Sequence, residues 1–353
     1  MKRLLLGLVL LAGAAMAEEG SVTLPSAIIP FSAYASPEAR HYFETDLRDV
    51  HPNFSGILEA RAYYDKWNAA QAARARDTYA VEVRAETIAG VQTDIITPKG
   101  GVAQRNRNRV LINLHGGAFA WGARDGGQAE SIPVAALGVI EVITVDYREG
   151  PENHFPAASE DVAKVYAELL KTYRPENIGI FGCSAGGILT AESVAWFQRH
   201  DLPRPGAIAM LCSGAKMFAG DSAYLAPILN GGPALKPGEP PARVDSMPYF
   251  AGADAKDPLV LPGVSDSVMA QFPPTAILTG TRDFAMSAAL DTANQLGRLG
   301  VEVDLHVWDG MSHAFMMLSQ LPEAREANLA LAKFFERHLG TRPIGGANAQ
   351  PSP

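Results

Sequence analysis

From residue 79 onward, short apolar runs alternate with longer stretches in which apolar residues recur every three or four positions. A strand buried on both faces is typically a continuous apolar run, whereas a helix packed on a core carries one apolar stripe. The alternation therefore predicts an α/β fold with a mostly parallel central sheet flanked by helices. Buried strands are predicted over residues 110–114, 139–145, 178–181, 207–211 and 275–278.

The two ends of this predicted sheet have a different pattern. Residues 79–86 and 91–98 predict a leading β-hairpin. Residues 301–307 alternate apolar and polar side chains, and successive side chains of a strand point to opposite faces. This strand is therefore predicted to have one buried and one wet face and to lie near an edge of the sheet.

Four helices are predicted after the hairpin. Apolar residues from Val162 to Tyr173 fall on one stripe behind an acidic first turn, and Ser159 is the predicted N-cap. The other three are predicted over residues 185–202, over residues 287–299 and after Pro322.

Two stretches do not follow the alternation. Residues 18–78 are helical in character, with many alanines and aromatic residues, and residues 215–271 are rich in Pro, Gly and Met without a clear period. We expect both to form a helical cap, the second as an insertion in a catalytic domain that spans residues 79–340. Residues 341–353 are small and polar, which predicts a disordered tail.

The first 17 residues have the pattern of a secretory signal peptide. A basic start and an apolar run over residues 4–14 precede Ala15-Met16-Ala17, a small-x-small cleavage site with no cysteine at the cut to carry a lipid. The run is shorter than the roughly 20 residues that span a bilayer. We expect cleavage after Ala17, export to the periplasm or the medium, and no stable membrane insertion afterwards. The alternatives are an uncleaved anchor or a buried helix.

Composition narrows the classes of partner and cofactor. The chain has 353 residues, of which 47% are hydrophobic, and its formal net charge is -8. Without an excess of basic residues, nucleic acid is not an expected partner. The chain lacks Cys-x-x-Cys, His-x-His and His-Glu-x-x-His spacings, so no metal site is predicted. Cys183 and Cys212 are expected to be two free, buried thiols, because a disulfide between adjacent parallel strands demands a tight geometry.

The clearest chemical signal is a G-x-S-x-G motif at residues 182–186, between a predicted strand and a predicted helix. A serine on such a tight turn exposes its hydroxyl above the sheet, and flanking glycines are needed because side chains there would collide with neighbouring backbone. Ser184 is therefore the candidate nucleophile.

A second glycine motif, His115-Gly116-Gly117-Ala118-Phe119, follows another predicted strand. The backbone N–H groups of Gly116 and Gly117, together with that of Ala185, would form an oxyanion hole. His115 is predicted to brace this loop, and the alternative is a role in proton transfer.

A base and an acid are predicted on the same rim of the sheet. His313 and Asp283 each follow a predicted strand, and the order Ser184, Asp283, His313 fits this sheet topology. Asp309 is the rival acid. It lies close to His313 in sequence and is expected to cap its own loop instead.

These motifs together resemble the hormone-sensitive-lipase-like branch (bacterial family IV) of the α/β-hydrolase esterases, from about residue 79 to residue 339. The resemblance rests on His115-Gly116-Gly117-Ala118, Asp146-Tyr147-Arg148-Glu149-Gly150-Pro151-Glu152, Phe155-Pro156-Ala157-Ala158, Gly182-Cys183-Ser184-Ala185-Gly186-Gly187, Asp283 and His313. It implies an α/β-hydrolase fold with a helical cap and a serine carboxylesterase activity. The implied catalytic groups are a triad of Ser184, Asp283 and His313, with oxyanion donors at Gly116, Gly117 and Ala185.

The chain departs from the family pattern at three places. The residue before the serine is usually Asp or Thr and here is Cys183, the third glycine of the oxyanion motif is Ala118, and the Asp-Pro-Leu around the triad acid is Asp283-Phe284-Ala285. None of these changes removes a catalytic atom. They leave the subfamily and the natural substrate open.

These roles predict ester hydrolysis through an acyl-enzyme, with no cofactor. Short-chain esters from acetyl to hexanoyl, or small lactones, are the expected substrates, because residues 215–271 contain no long apolar run that could serve as an interfacial lid. The predicted pocket residues are Phe119, Trp121, Met217, Phe218, Met311 and Phe315. The alternative is that several of them only pack the cap on the sheet.

Two other functions remain open on the same fold. A serine peptidase is disfavoured because no extra domain or acidic cluster is evident to bind a peptide amine. A catalytically silent ligand-binding protein would require a broken triad, and all three triad positions are filled.

Overall fold

A computed structural model describes residues 28–50, 52–234 and 244–340 of the chain. Contacts separate Met1–Pro30 from Phe31–Pro353, and residues 28–30, the described part of the first unit, contain no helix or strand. The predicted signal peptide at residues 1–17 and the predicted tail at residues 341–353 lie outside the described residues, and both stay predictions.

The second unit is built on a mixed β-sheet. Its strands in the described chain are β1 (Val81–Ile88), β2 (Val91–Pro98), β3 (Val110–Leu114), β4 (Val142–Val145), β5 (Ile178–Cys183), β6 (Ala207–Leu211), β7 (Thr275–Arg282) and β8 (Val303–Ser312). They lie in the order β1-β2-β4-β3-β5-β6-β7-β8. The β1–β2 and β2–β4 pairs are antiparallel and all others are parallel. The carboxyl ends of β3 to β8 therefore meet at one rim.

Helices cover both faces of this sheet. They are α1 (Pro37–Tyr42), α2 (Ile57–Thr78), α3 (Asp125–Gly138), α4 (Ala157–Leu169), α5 (Ala185–Arg199), α6 (Asp221–Leu229), α7 (Asp266–Met269), α8 (Met286–Arg298) and α9 (Pro322–His338). Alternate strand residues enter two separate apolar clusters, one beneath α4, α5 and α8 and the other beneath α3 and α9. Among the described helices, none is long and apolar enough to cross a membrane.

The sequence missed α3 and misplaced the start of α4. Every residue of α3 from Gly126 to Ala135 is buried, so this part of the helix has no exposed polar face and no amphipathic period to detect. The predicted strand over residues 139–145 starts later, because Val139 has a left-handed backbone that ends α3. Ser159 is not an N-cap: α4 begins at Ala157, and the Ser159 side chain is buried inside the helix.

Strand β8 lies at the sheet edge, as predicted, but its exposure differs from the prediction. Val303 packs against the core, whereas Leu305 and Val307 are 39% and 40% exposed. On the opposite face the ring of Trp308 lies 5.6 Å from that of Phe315. The aromatic contact covers the face that the sequence pattern assigned to solvent.

Candidate active site

Ser184 lies on a sharp turn between β5 and α5. Its backbone has φ 56° and ψ -118°, a conformation that residues other than glycine rarely adopt. A Cβ on Gly186 would lie 1.7 Å from the carbonyl oxygen of Leu114, and one on Gly182 would lie 2.3 Å from the same atom. The glycines on both sides of Ser184 are therefore required by the end of β3, as the sequence predicts.

The structure brings Ser184, His313 and Asp283 into one chain of hydrogen bonds. The Nε2 atom of His313 lies 2.8 Å from the Oγ atom of Ser184, and its Nδ1 atom lies 2.7 Å from Oδ1 of Asp283. A proton on Nδ1 would donate to the carboxylate and leave Nε2 to accept from the serine hydroxyl. Each of the three residues directly follows the end of a strand, β5, β7 or β8.

The carboxyl group of Asp283 is fully buried and fully hydrogen-bonded. Besides His313, it accepts bonds from the Ala285 N–H at 2.9 Å and from the Thr279 hydroxyl at 2.7 Å. Burial alone would raise the pKa of Asp283, but His313 and these donors together lower it below its ordinary value. Asp283 is thus held as a carboxylate facing the imidazole.

Asp309 faces away from this chain. Its carboxylate accepts hydrogen bonds from the hydroxyls of Ser32 and Thr281, and the Ser32 bond is the main reason why its pKa is lowered. Asp283, and not Asp309, therefore lies beside His313.

The ring of His313 is held between aromatic neighbours. Phe284 stacks on it with 4.0 Å between ring centroids, and Phe218 approaches edge-on at 6.2 Å. Phe284 is one of the residues at which the sequence departs from the family pattern, and its ring fixes the plane of the imidazole.

The loop after β3 lines the same cavity as Ser184, through Gly116, Gly117 and Ala118. In the part of the chain that the structure describes, the N–H groups of Gly117, Ala118 and Ala185 donate to no protein acceptor. The Gly116 N–H differs, because it donates to the carboxylate of Glu130 at 2.8 Å. The prediction of Gly116 as an oxyanion donor is therefore wrong: its N–H already has a partner.

His115 lies beneath this loop and is fully buried. Its ring stacks on that of Tyr147 with 4.2 Å between centroids, and burial lowers the pKa of the imidazole. The ring does not line the cavity above Ser184. This placement fits the predicted bracing role.

A cavity of about 510 Å³ lies above Ser184. Both predicted cap segments contribute to its wall. Residues of the N-terminal segment that line it include Tyr42, Leu47, Tyr63, Tyr64 and Trp67. Residues of the later segment that line it are Met217, Phe218, Asn230 and Met247. The aromatic residues of α2 were not among the predicted pocket residues, because the periodicity of that segment gives no indication of where it docks.

Half of the predicted pocket residues line this cavity, namely Trp121, Met217 and Phe218. The prediction is wrong for the other three. Phe119 is buried and stacks on Tyr249 with 4.9 Å between centroids. Met311 is buried because it points to the opposite side of β8 from Ser312, which does line the cavity.

Phe315 is the third of these residues. It follows Ala314, whose backbone is left-handed, and is fully buried in the core cluster beneath α3 and α9. Sequence proximity to His313 therefore did not place it in the cavity.

Both cysteines are free and buried, as predicted. Cys212 Sγ accepts the Ala314 N–H at 3.2 Å and lies 3.6 Å from the sulfur of Met316. Burial raises the pKa of the Cys212 thiol well above its ordinary value. Within the described chain Cys212, Asp283 and His313 are close enough to hold a metal ion, but a buried thiol that resists deprotonation is a poor metal ligand.

The chain is similar to known hydrolases. Residues 111–317 match a family model described as an α/β-hydrolase fold. LipR of Mycobacterium tuberculosis, named as an acetyl-hydrolase, is 30% identical over 259 residues, which cover 72% of this chain and 80% of LipR. An acetyl-hydrolase of Streptomyces hygroscopicus is 26% identical over 238 residues, or 67% of this chain and 78% of that one.

A solved structure of an esterase is also similar to this chain. The crystal structure of the esterase E25 matches with a TM-score of 0.78 at 30% identity, covering 91% of this chain and 100% of that chain. The chain therefore belongs to the α/β-hydrolase family, and two relatives that it matches at 30% identity are an acetyl-hydrolase and an esterase.

Proposed function

We propose that the protein is a serine carboxylesterase that hydrolyses short-chain esters or small lactones through an acyl-enzyme on Ser184. The observation that carries the proposal is the unbroken hydrogen-bond chain from Ser184 through His313 to Asp283 at the floor of an apolar cavity. A nucleophile, a base and an orienting acid in this geometry can perform acyl transfer.

The first half of the reaction forms the acyl-enzyme. His313 Nε2 removes the Ser184 proton as the hydroxyl oxygen attacks the ester carbonyl, and Asp283 stabilises the resulting imidazolium. The carbonyl oxygen becomes an anion, which accepts hydrogen bonds from the N–H groups of Gly117, Ala118 and Ala185. His313 then donates its proton to the leaving alcohol, and the C–O bond breaks.

The second half releases the acid. His313 removes a proton from water as the water attacks the acyl carbonyl, and the same backbone donors stabilise the second tetrahedral intermediate. Collapse returns the proton to Ser184 Oγ and frees the carboxylic acid. Every proton in this cycle passes through His313, and no step requires a cofactor.

The size of the cavity supports a short acyl chain. A volume of about 510 Å³ suits a small ester, and its wall is mostly aromatic and aliphatic. Two relatives of the chain bear the name acetyl-hydrolase. We expect kcat/KM on p-nitrophenyl esters to be highest between acetyl and hexanoyl. A maximum at dodecanoyl or longer, or activation at an oil–water interface, would contradict this substrate class.

Ser184→Ala tests the nucleophile. Removal of a triad nucleophile typically costs several orders of magnitude, so we expect kcat to fall at least about a thousandfold with the fold unchanged. Ser267→Ala is the control, because Ser267 is exposed on α7 and does not line the cavity. We expect that control to remain within about threefold of the unaltered protein. Full activity of Ser184→Ala would refute the proposal.

A further inference from the structure

Glu130 is an acid buried in α3 that the reaction above does not use. Its side chain is 4% exposed, and it accepts three hydrogen bonds from N–H donors. The Gly116 N–H donates to Oε1 at 2.8 Å, whereas the Asn113 side chain and the Cys183 N–H donate to Oε2 at 2.9 and 3.3 Å. Both carboxylate oxygens are therefore occupied.

Two of these donors belong to the two halves of the active site. Gly116 begins the loop that carries the free N–H groups of Gly117 and Ala118, and Cys183 directly precedes Ser184. The two halves also touch, since a Cβ on Gly116 would lie 2.9 Å from the Cys183 carbonyl oxygen and 3.4 Å from Ser184 Cβ. One carboxylate thus bridges the oxyanion loop and the nucleophile turn.

The third donor is also fixed in orientation. Asn113 Oδ1 accepts a hydrogen bond from the Thr144 hydroxyl at 2.8 Å, which leaves its amide nitrogen to donate to Glu130. Within the described chain no cationic side chain pairs with Glu130. Burial raises its pKa and the three N–H donors lower it in part, and the pKa that results is about 7. Burying a carboxylate away from water costs free energy, and the N–H donors stabilise its charged form.

We propose that Glu130 is a positioning residue, which sets the separation between the oxyanion N–H groups and Ser184 Oγ by bonding the backbone on both sides of that gap. This inference rests on the proposed function. Glu130 is not a catalytic residue, because its oxygens are bonded to protein donors and not directed at the Ser184 hydroxyl. We expect Glu130 to affect mainly the free energy of the transition state, because that state depends most on where the oxyanion donors lie.

Glu130→Gln is the decisive variant. The amide has nearly the shape of the carboxylate but only one acceptor oxygen, and its NH₂ group must face a donor. Asn113 can turn its amide only if the Thr144 hydroxyl reverses its hydrogen bond, and the backbone N–H groups of Gly116 and Cys183 cannot turn at all. One side of the bridge is therefore lost.

We expect kcat of Glu130→Gln to fall about 10- to 100-fold with KM changed less than about threefold, less than the loss of a whole oxyanion donor. Affinity for an aryl trifluoromethyl ketone, which forms a tetrahedral adduct with the serine, should fall in the same proportion as kcat. Glu130→Asp is the second variant. It keeps the charge but is one methylene too short to reach all three donors, and we expect the same kcat-specific loss.

Glu192→Gln is the control for replacing a buried acid by its amide. Glu192 is equally buried but lies against Ser159 and, among the described residues, makes no hydrogen bond to either loop, so kcat should change less than about threefold. A folded Glu130→Gln or Glu130→Asp with unaltered kcat would overturn the inference. Failure of the proposed function would be seen separately, as a parent protein without ester turnover or a Ser184→Ala variant that keeps it.

Discussion

At the residue scale, the site depends on a few backbone atoms that lie close together. The carbonyl oxygen of Leu114 fits between Gly182 and Gly186, and any side chain at either position would collide with it. The motif therefore predicts more than a serine: it predicts a contact between β3 and the turn after β5. Ser184 adopts its left-handed backbone because both sides of the turn are fixed.

Substitutions of two single residues, Asp283 and Asp309, test which acid orients the imidazole. Asp283→Asn should lower kcat by about 10³- to 10⁴-fold, because an amide can stabilise the wrong tautomer of His313 and cannot stabilise the imidazolium. Asp309→Asn removes only bonds to Ser32 and Thr281 and should cost less than about threefold. Steady-state kinetics of both purified variants test the ranking, and the reverse order would reassign the acid.

The chemistry of individual residues was largely predictable, and their surroundings were not. Ser184, Asp283 and His313 each follow a strand that the pattern of apolar residues located, so their proximity could be expected from topology. Glu130 gave no comparable signal, because its function depends on bonds to backbone atoms far away in sequence. Gly116 was misjudged for the same reason: nothing in the chain indicates that its N–H already has a partner.

At the element scale, burial explains both what the sequence predicted and what it missed. Helices with one apolar stripe, such as α4 and α9, could be found from their period. Helix α3 is buried on all sides from Gly126 to Ala135, so it lacks the exposed polar face by which a helical period is recognised. The segment that forms α2 was expected to be helical. Its position at the cavity depends on packing against other elements, which could not be predicted from this sequence.

Helix α5 contains a second buried acid that affects stability. Glu192 is fully buried, its Oε2 lies 3.5 Å from the Ser159 hydroxyl, and its Oε1 has no partner in the described chain. Burial raises the pKa of Glu192 well above its ordinary value. The folded protein therefore keeps this proton at a pH where the unfolded chain has released it.

The sign of the resulting pH dependence follows from proton linkage. From about pH 4.5 upward, until the raised pKa is passed, the folded state binds one more proton than the unfolded state, so stability falls as pH rises. Glu192→Gln removes this penalty. Its free energy of unfolding, relative to the unaltered protein, should increase by up to about 1.4 kcal/mol per pH unit.

Urea denaturation at pH 5, 6 and 7 measures this difference. Glu82→Gln is a suitable control, since Glu82 is exposed on β1 and is solvated in both states. If the free energies of unfolding of Glu192→Gln and of the unaltered protein differ by the same amount at all three pH values, Glu192 is not a neutral acid in the folded state.

At the scale of the whole molecule, sheet order converts distance along the chain into proximity in space. His313 is 129 residues from Ser184 and 30 from Asp283, yet both partners lie within hydrogen-bond distance. Parallel strands make this possible because their carboxyl ends share one rim. The order of the motifs along the chain, more than any single motif, is what made the fold class predictable.

Cellular location is the remaining prediction at this scale. The pattern of residues 1–17 predicts cleavage after Ala17, so the mature chain should begin at Glu18 and be recovered from a periplasmic or extracellular fraction. N-terminal sequencing of the protein purified from its native source tests this directly. A chain that begins at Met1 in the cytoplasmic fraction would contradict it.

The position of β8 at the edge of the sheet affects how the enzyme loses activity on heating. An edge strand has a hydrogen-bonded neighbour on one side, so it can open locally while the rest of the sheet remains intact. His313 directly follows this strand, whereas Ser184 follows β5 in the sheet interior. Local opening of β8 would move His313 away from the site and leave Ser184 in place. Thermal inactivation would then precede melting of the sheet, and the half-life of activity at high temperature would report the opening of β8.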